Sequence, residues 1–403
     1  MTTTRLSVDR RTLLAAAAAS AGALALPGLV RAQAAPIKLA TLTPLTGAGG
    51  PYGPVMVKAV KAVVDEVNAA GGVLGRKIEL ISEDDQTNPE AGVRAARKLI
   101  DVDKVAAIMG TWASSVTTAV APLCWESKTF LATVSGADSI TLLPHQGFLV
   151  RTQPNTTLQG RKFGEFALEQ GAKSVFFLTP QTPFADSQFA NIKAAMEKGG
   201  GKAERLIYDD KKPSYRSEVD QALAAKPDAL IFGGYTPDTT VMLKDIFKAG
   251  YTGKKIAFAY SVNAKLLEGV PAEVAEGIFT IAPSPAEGSD AHKQLAAKIG
   301  VANPDPYTTQ IYDQINLIVM AIALSGEASG AAIKDAIRKV SQAPGGAKVT
   351  NALDGLKAIA AKQAVNYDGA SGPCDFTDQG DISDCRFRYE QVKAGKLALV
   401  KIA

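Results

Sequence analysis

The chain has 403 residues, 46% hydrophobic and 21% charged, with 36 Gly, 21 Pro, 3 Cys and 2 His, a mixture that fits about two globular domains and excludes low-complexity and disulfide-dense scaffolds. His145 and His292, with cysteines only at 124, 374 and 385, supply no His/Cys set at zinc spacing, so no metal site and no cofactor is expected. The formal charge of +4 falls to +1 without the first 34 residues, where Arg5, Arg10, Arg11 and Arg31 stand against Asp9 alone; no field of the size that nucleic acid requires remains.

Arg10-Arg11-Thr12-Leu13-Leu14 opens an uncharged, alanine-rich run to Val30, and small residues follow around Arg31-Ala32-Gln33-Ala34. This reads as a secretory signal peptide over 1–34, cleaved near Ala32 or Ala34. The paired arginines resemble a twin-arginine export signal, with Asp9 where such signals carry Ser or Thr. A retained anchor is disfavoured because the run is mostly alanine and is broken by Pro27-Gly28. A lipid anchor would need a cysteine near this end, and none precedes Cys124. The expected location is the periplasm.

From Ile37 short apolar runs alternate with longer amphipathic ones. The pattern predicts strands over Ile37–Thr43, Lys77–Ser82, Val105–Met109 and Thr129–Thr133, with helices over Gly53–Ala69, Pro89–Val102 and Ser114–Ser127 between them. After Phe148–Arg151 the series restarts with helix Thr157–Gln170, strand Ser174–Leu178, helix Phe184–Lys198 and strand Ala203–Tyr208. Helix Tyr215–Ala224, strand Ala229–Phe232, helix Asp238–Ala249 and strand Lys255–Tyr260 complete it. The expected fold class is α/β, two doubly wound parallel-sheet lobes in tandem. Helical stretches Asp290–Ile299, Thr308–Leu324 and Gly330–Val340 lack strands for a sheet of their own and must pack on these units. From Val365 the tail is again strand and turn. Within it Cys374 and Cys385 flank a turn centred on Asp378-Gln379-Gly380-Asp381, so an oxidising compartment would allow a disulfide across the hairpin, worth about 3 kcal/mol or less for so short a loop. Cys124 reads as a buried helix thiol.

Doubly wound sheets bind ligands beyond the carboxyl ends of their strands. Those loops hold Thr43–Gly53, Gly110-Thr111-Trp112-Ala113-Ser114-Ser115 and Ser135-Gly136-Ala137-Asp138 in the first unit. The second has Pro180–Phe184, Gly233-Gly234-Tyr235 and Tyr260-Ser261-Val262-Asn263. Hydroxyls and free helix N–H groups suit an anionic head, and Trp112, Phe184 and Tyr235 an apolar tail. Simpler readings accompany each: Ser114 as a cap for its own helix, Trp112 and Tyr235 as packed loop residues, and Glu83-Asp84-Asp85 as a solvated strand end rather than a cation site. Gly47, Gly49 and Gly53 are spaced one residue too widely for a dinucleotide loop. With no G-x-S-x-G, P-loop, H-E-x-x-H or C-x-x-C, and no histidine in these loops, binding without catalysis is expected.

Several segments, in order, carry a resemblance: Leu45-Thr46-Gly47, Tyr52-Gly53, Asn68-Ala69-Ala70-Gly71-Gly72-Val73-Leu74-Gly75-Arg76, Asp84–Pro89, Gly110–Ser115, Phe148–Thr152, Gly233–Tyr235, Asn366–Pro373 and Phe376–Asp381. Over its mature length the chain resembles a type I periplasmic solute-binding protein of an ABC importer, in the branched-chain amino acid (Leu/Ile/Val) binding family. The resemblance implies a hinge of three crossover strands joining lobes 36–152 plus about 285–360 and 153–284 plus about 361–403. It implies a monomer serving an inner-membrane ABC permease. It places Tyr52, Trp112, Ala113, Ser114, Ser115, Ser135, Gly136 and Ala137 at the ligand's head, with Ser114 as carboxylate donor, and Phe184 and Tyr235 as covering aromatics.

One position departs from the family. Where branched-chain amino acid binders carry an acid for the ligand's ammonium, this chain has Ser261. An ammonium buried without a carboxylate costs several kcal/mol, so the ligand is expected to be an amino acid served by another acid, or an amine-free aromatic carboxylate such as a benzoate. A ligand-sensing receptor would need an output segment, and none follows the module through Ala403.

Overall fold

The computed structural model describes residues 35–403; the expected signal peptide lies outside the described residues. Strands β1 (Ile37–Thr43), β2 (Ile78–Asp84), β3 (Ala107–Gly110), β4 (Phe130–Thr133) and β5 (Leu149–Arg151) form a parallel sheet in the order β2-β1-β3-β4-β5. Every residue of β3, β4 and β5 is buried, as the continuous apolar runs require of a sheet covered by helices on both faces. Helices Gly53–Ala69, Pro89–Arg97 and Ser114–Ser127 make the crossovers. The second is shorter than expected because it passes into a π-helical turn at Lys98–Asp103 that ends on Lys104 in the left-handed region.

The second sheet takes β6 (Ser174–Pro180), β7 (Lys202–Tyr208), β8 (Ala229–Phe232), β9 (Lys254–Phe258) and β10 (Phe279–Pro283) as parallel neighbours. A short pair, β11 (Ala347–Val349) with β12 (Val365–Tyr367), stands apart, and β13 (Phe387–Lys393) and β14 (Lys396–Ile402) close the second sheet antiparallel beyond β10. The order is β14-β13-β10-β9-β8-β6-β7. β10 was not foreseen, because a five-residue run that is almost wholly buried shows no alternation.

Helices Asp290–Ile299, Pro306–Ser325 and Gly330–Ser341 return to the first sheet, as their lack of strands required. The long central one lies against helix Gly53–Ala69 and β3, and the third against β4. Residues 361–386 correct the expected second-lobe boundary: β12 pairs with β11, Phe376 exchanges hydrogen bonds with the Gln342 side chain, and Arg151 N–H donates to Gly380 O. The chain rejoins the second sheet only at Phe387. It therefore passes between the sheets after Arg151, after Pro283 and just before Phe387.

The cysteine expectation is also corrected. All three thiols are free, Cys374 buried and Cys385 half-buried. Phe376 pairs with Ile382 across the turn, and that register sets Cys374 opposite Asp384. Cys385 is one residue out and points to the other face of the hairpin.

Candidate ligand-binding cleft

The first wall begins with an unusual turn. Gly110 has φ 108° and Thr111 φ 49°, and a β-branched residue in the left-handed region is a strained one. It is held because Thr111 N–H donates to Leu42 O at 2.7 Å, while Thr111 O accepts from Thr133 Oγ1 at 2.7 Å and Ser135 Oγ at 2.6 Å. A Cβ at Gly110 would meet Leu42 O at 2.6 Å. This turn projects Trp112, Ala113, Ser114 and Ser115 into the space between the sheets. Ser114 is the first residue of its helix and does not cap it. Its Oγ instead accepts from Ala137 N–H at 3.2 Å, which leaves the hydroxyl proton available beside the helix's unpaired N–H groups.

These residues line a cavity with Val134, Gly136 and Gln153 from the first sheet's side, Pro180, Thr182, Phe184, Gly233, Tyr235 and Tyr260 from the second's, and Tyr307 from helix Pro306–Ser325. Counted to its mouth, the empty space is about 470 Å³. It is a narrow slot suited to a small or flat guest. Its walls are aromatic: Trp112 lies 5.7 Å from Tyr235 and stands edge-on to Tyr260 at 5.8 Å and Tyr307 at 5.6 Å, while Phe184 meets Tyr260 at 5.9 Å. Gly136 permits a close approach between the walls, since a Cβ there would come within 2.8 Å of the Phe184 ring.

Of the residues expected at the site, Trp112, Ala113, Ser114, Ser115, Gly136, Phe184 and Tyr235 line the cavity. Tyr52, Ser135, Ala137 and Ser261 do not, and each has another task. Tyr52 stacks behind Trp112 at 5.5 Å and its hydroxyl accepts from Asn263 Nδ2 at 3.1 Å. Ser135 is buried and donates to Thr111 O, supporting the strained turn. Ala137 has both main-chain groups committed, its N–H to Ser114 Oγ and its carbonyl to Arg151 Nη1 at 2.7 Å. Ser261 is fully buried and its hydroxyl donates to Gly234 O beneath the Tyr235 loop. Pro180, Thr182, Gly233 and Tyr260 belong to loops already singled out, whereas Gln153 and Tyr307 had no local signal. Asp305-Pro306 marks a helix start, but only tertiary packing brings that start to the cleft.

Among the described residues no charged side chain lines the cavity. Asp84 is not merely solvated: it accepts from Leu45 N–H, Thr46 N–H and the Thr46 hydroxyl, fastening the Thr43–Gly53 loop. Burial raises the neighbouring Asp85 to about 7 and Asp238, which accepts from Tyr208 OH at 2.5 Å, to about 6. Neither lines the cavity. Behind the Ser135–Ala137 loop the Arg151 guanidinium, fully buried, pairs with Asp381 and donates to Thr141 Oγ1 at 3.0 Å. One side chain thus ties the first crossover, the third crossover and the site loop together.

Two mainly parallel sheets joined by three crossings, with an aromatic slot between their carboxyl edges, define a two-lobed small-molecule binding protein. The chain belongs to the periplasmic binding protein family, whose model matches residues 36–396. It is 24% identical over 310 residues to the leucine-, isoleucine-, valine-, threonine- and alanine-binding protein of Pseudomonas aeruginosa, covering 75% of this chain and 82% of that one. The leucine-binding protein LivK of Thermotoga maritima superposes with a TM-score of 0.78 at 22% identity, over 91% of this chain and 98% of that one. An ABC-transporter solute-binding protein of Rhodopseudomonas palustris, solved with 3,4-dihydroxybenzoic acid, superposes with a TM-score of 0.72 at 23% identity, over 91% and 97%.

Proposed function

We propose that the protein is the periplasmic substrate-binding component of an ABC importer. It captures a small amino acid or related carboxylate between its lobes and hands it, as a monomer and without chemical change, to an inner-membrane permease. The observation that carries this reading is the slot itself: aromatic residues from both sheets close over the N-terminus of helix Ser114–Ser127, where the Ser114 and Ser115 hydroxyls and unpaired N–H groups offer donors to a carboxylate. The export signal over 1–34, cleaved near Ala32 or Ala34, fits that location.

A second reading has its own support. Ser261 is turned away from the cavity and no carboxylate replaces it in the lining, so an ammonium would be buried without a counter-charge. An amine-free aromatic carboxylate such as a benzoate meets the same donors and fills the same slot. A thermal-shift screen of the mature protein against the amino acids and a panel of aromatic and aliphatic carboxylates separates the two, because a ligand bound only by the folded state raises the melting temperature. A shift with benzoates and none with leucine selects the second reading; the reverse selects an amino acid. Silence across the whole panel refutes the assignment of the cleft to carboxylates.

A further inference from the structure

Gln153 is 3% exposed, lines the cavity, and its Oε1 has no hydrogen-bond partner. It stands two residues past β5, in the bend that follows the strand. Two polar side chains near it in the chain have partners. Thr152 Oγ1 is bonded to Gln310 O and Gln314 Nε2, and Gln159 Nε2 donates to Pro154 O. A buried amide oxygen left without a donor costs about as much as a tenfold change in an equilibrium constant. Among aromatic walls an apolar residue would fit at no such cost. The unused acceptor therefore points to a donor that arrives with the ligand.

We infer that Gln153 is a specificity residue that accepts a hydrogen bond from a neutral donor, a hydroxyl, carried by a carboxylate ligand at a distance from its carboxyl group. The inference rests on the carboxylate reading of the cleft. The distance follows from topology. The carboxylate donors follow β3, whereas Gln153 follows β5, and β4 lies between them. Two strand spacings are about 9–10 Å, so the main-chain positions that carry the two polar contacts are set well apart. A hydroxyl across a benzoate-like ring spans most of that separation, whereas the ammonium of an amino acid is attached next to its carboxylate and does not. A neutral donor also suits a lining that holds no anion.

Calorimetric titration of the mature protein with benzoate, 3- and 4-hydroxybenzoate, 4-methoxybenzoate and leucine tests this, with Gln153→Met and Gln153→Glu as variants. The wild type is expected to bind at least one hydroxybenzoate about tenfold more tightly than benzoate or the methoxy analogue, which has an acceptor but no donor. Gln153→Met is expected to abolish that ratio while changing benzoate affinity less than about threefold. Gln153→Glu keeps an acceptor and is expected to retain the ratio even if its charge weakens every carboxylate. The ratio within one folded protein is the readout, so a general loss of stability does not mimic it. Equal binding of the hydroxy, methoxy and unsubstituted acids overturns the inference alone, as does a ratio unchanged in Gln153→Met. Tight leucine binding lost in Gln153→Met assigns Oε1 to an ammonium and also overturns it. Binding of none of these acids refutes the reading of the cleft on which the inference depends.

Discussion

Replacing Arg151 by methionine removes the positive half of a buried pair while keeping much of the side chain's length. Arg151 has no exposed side-chain surface and Asp381 only 10%, so the carboxylate left behind has little water to turn to. Breaking a buried pair from one side typically costs about 3–5 kcal/mol. The Ala137 carbonyl is left with the Ile140 N–H alone, and the Thr141 hydroxyl loses its donor. Urea unfolding of Arg151→Met, Asp381→Asn and the double variant forms a cycle that isolates the pair. The single Arg151→Met change is expected to lose about 3–5 kcal/mol, and the double variant about 2 kcal/mol less than the sum of the singles. Ligand affinity is expected to fall in Arg151→Met too, since Ala137 positions Ser114 Oγ. A single-variant loss below about 0.5 kcal/mol, or additivity within that margin, would refute the role assigned to this pair.

Gly136→Val is expected to weaken ligand binding at least about tenfold, because the added Cβ would meet the Phe184 ring at 2.8 Å and Gln159 Nε2 at 3.0 Å and hold the walls apart. Titration together with small-angle scattering, reading a radius of gyration that no longer contracts with ligand, checks this. Stability is expected to fall as pH rises from about 4 to 7: burial raises Asp85 to about 7 and Asp238 and Asp313 to about 6, from an ordinary 3.8. The folded state therefore holds these protons after the unfolded chain has released them, and the advantage is lost as pH passes the folded values. Each group accounts for on the order of a few kcal/mol at most. Melting temperatures at pH 5 and pH 7.5 are the measurement, and Asp85→Asn should flatten the slope.

The parallel strands were legible because a run such as Val105–Met109, apolar throughout and bounded by a charge and a glycine, has few other uses. β10 was not, since burial without alternation gives a short segment no period to read. At the site, sequence order identifies the loops that reach the carboxyl edges, and seven expected residues do meet there. It does not fix the direction of each side chain. Ser135 turns inward because the Thr111 carbonyl needs donors, and that carbonyl is placed by a left-handed threonine with no sequence signature of its own. Ser261 turns under Gly234 for a similar reason. Gln153 and Tyr307 reach the cleft through the first crossover and a helix far along the chain, and packing alone brings them together.

A lining without charge also bears on how a carboxylate would be held. Donors at a helix N-terminus act at hydrogen-bond range inside a dry slot, whereas attraction to exposed cations is long-ranged and weakened by salt. Asp85 and Asp238 contribute no attraction to an anion, and among the described residues no Lys or Arg lines the cavity. The dissociation constant of whichever carboxylate binds is therefore expected to change less than about twofold between low salt and half-molar salt, where the Debye length shrinks severalfold. The association rate should be similarly indifferent. A fall in affinity of fivefold or more over that range would mean that a basic group outside the slot supplies much of the binding, and Ser114 and Ser115 would then be secondary to it.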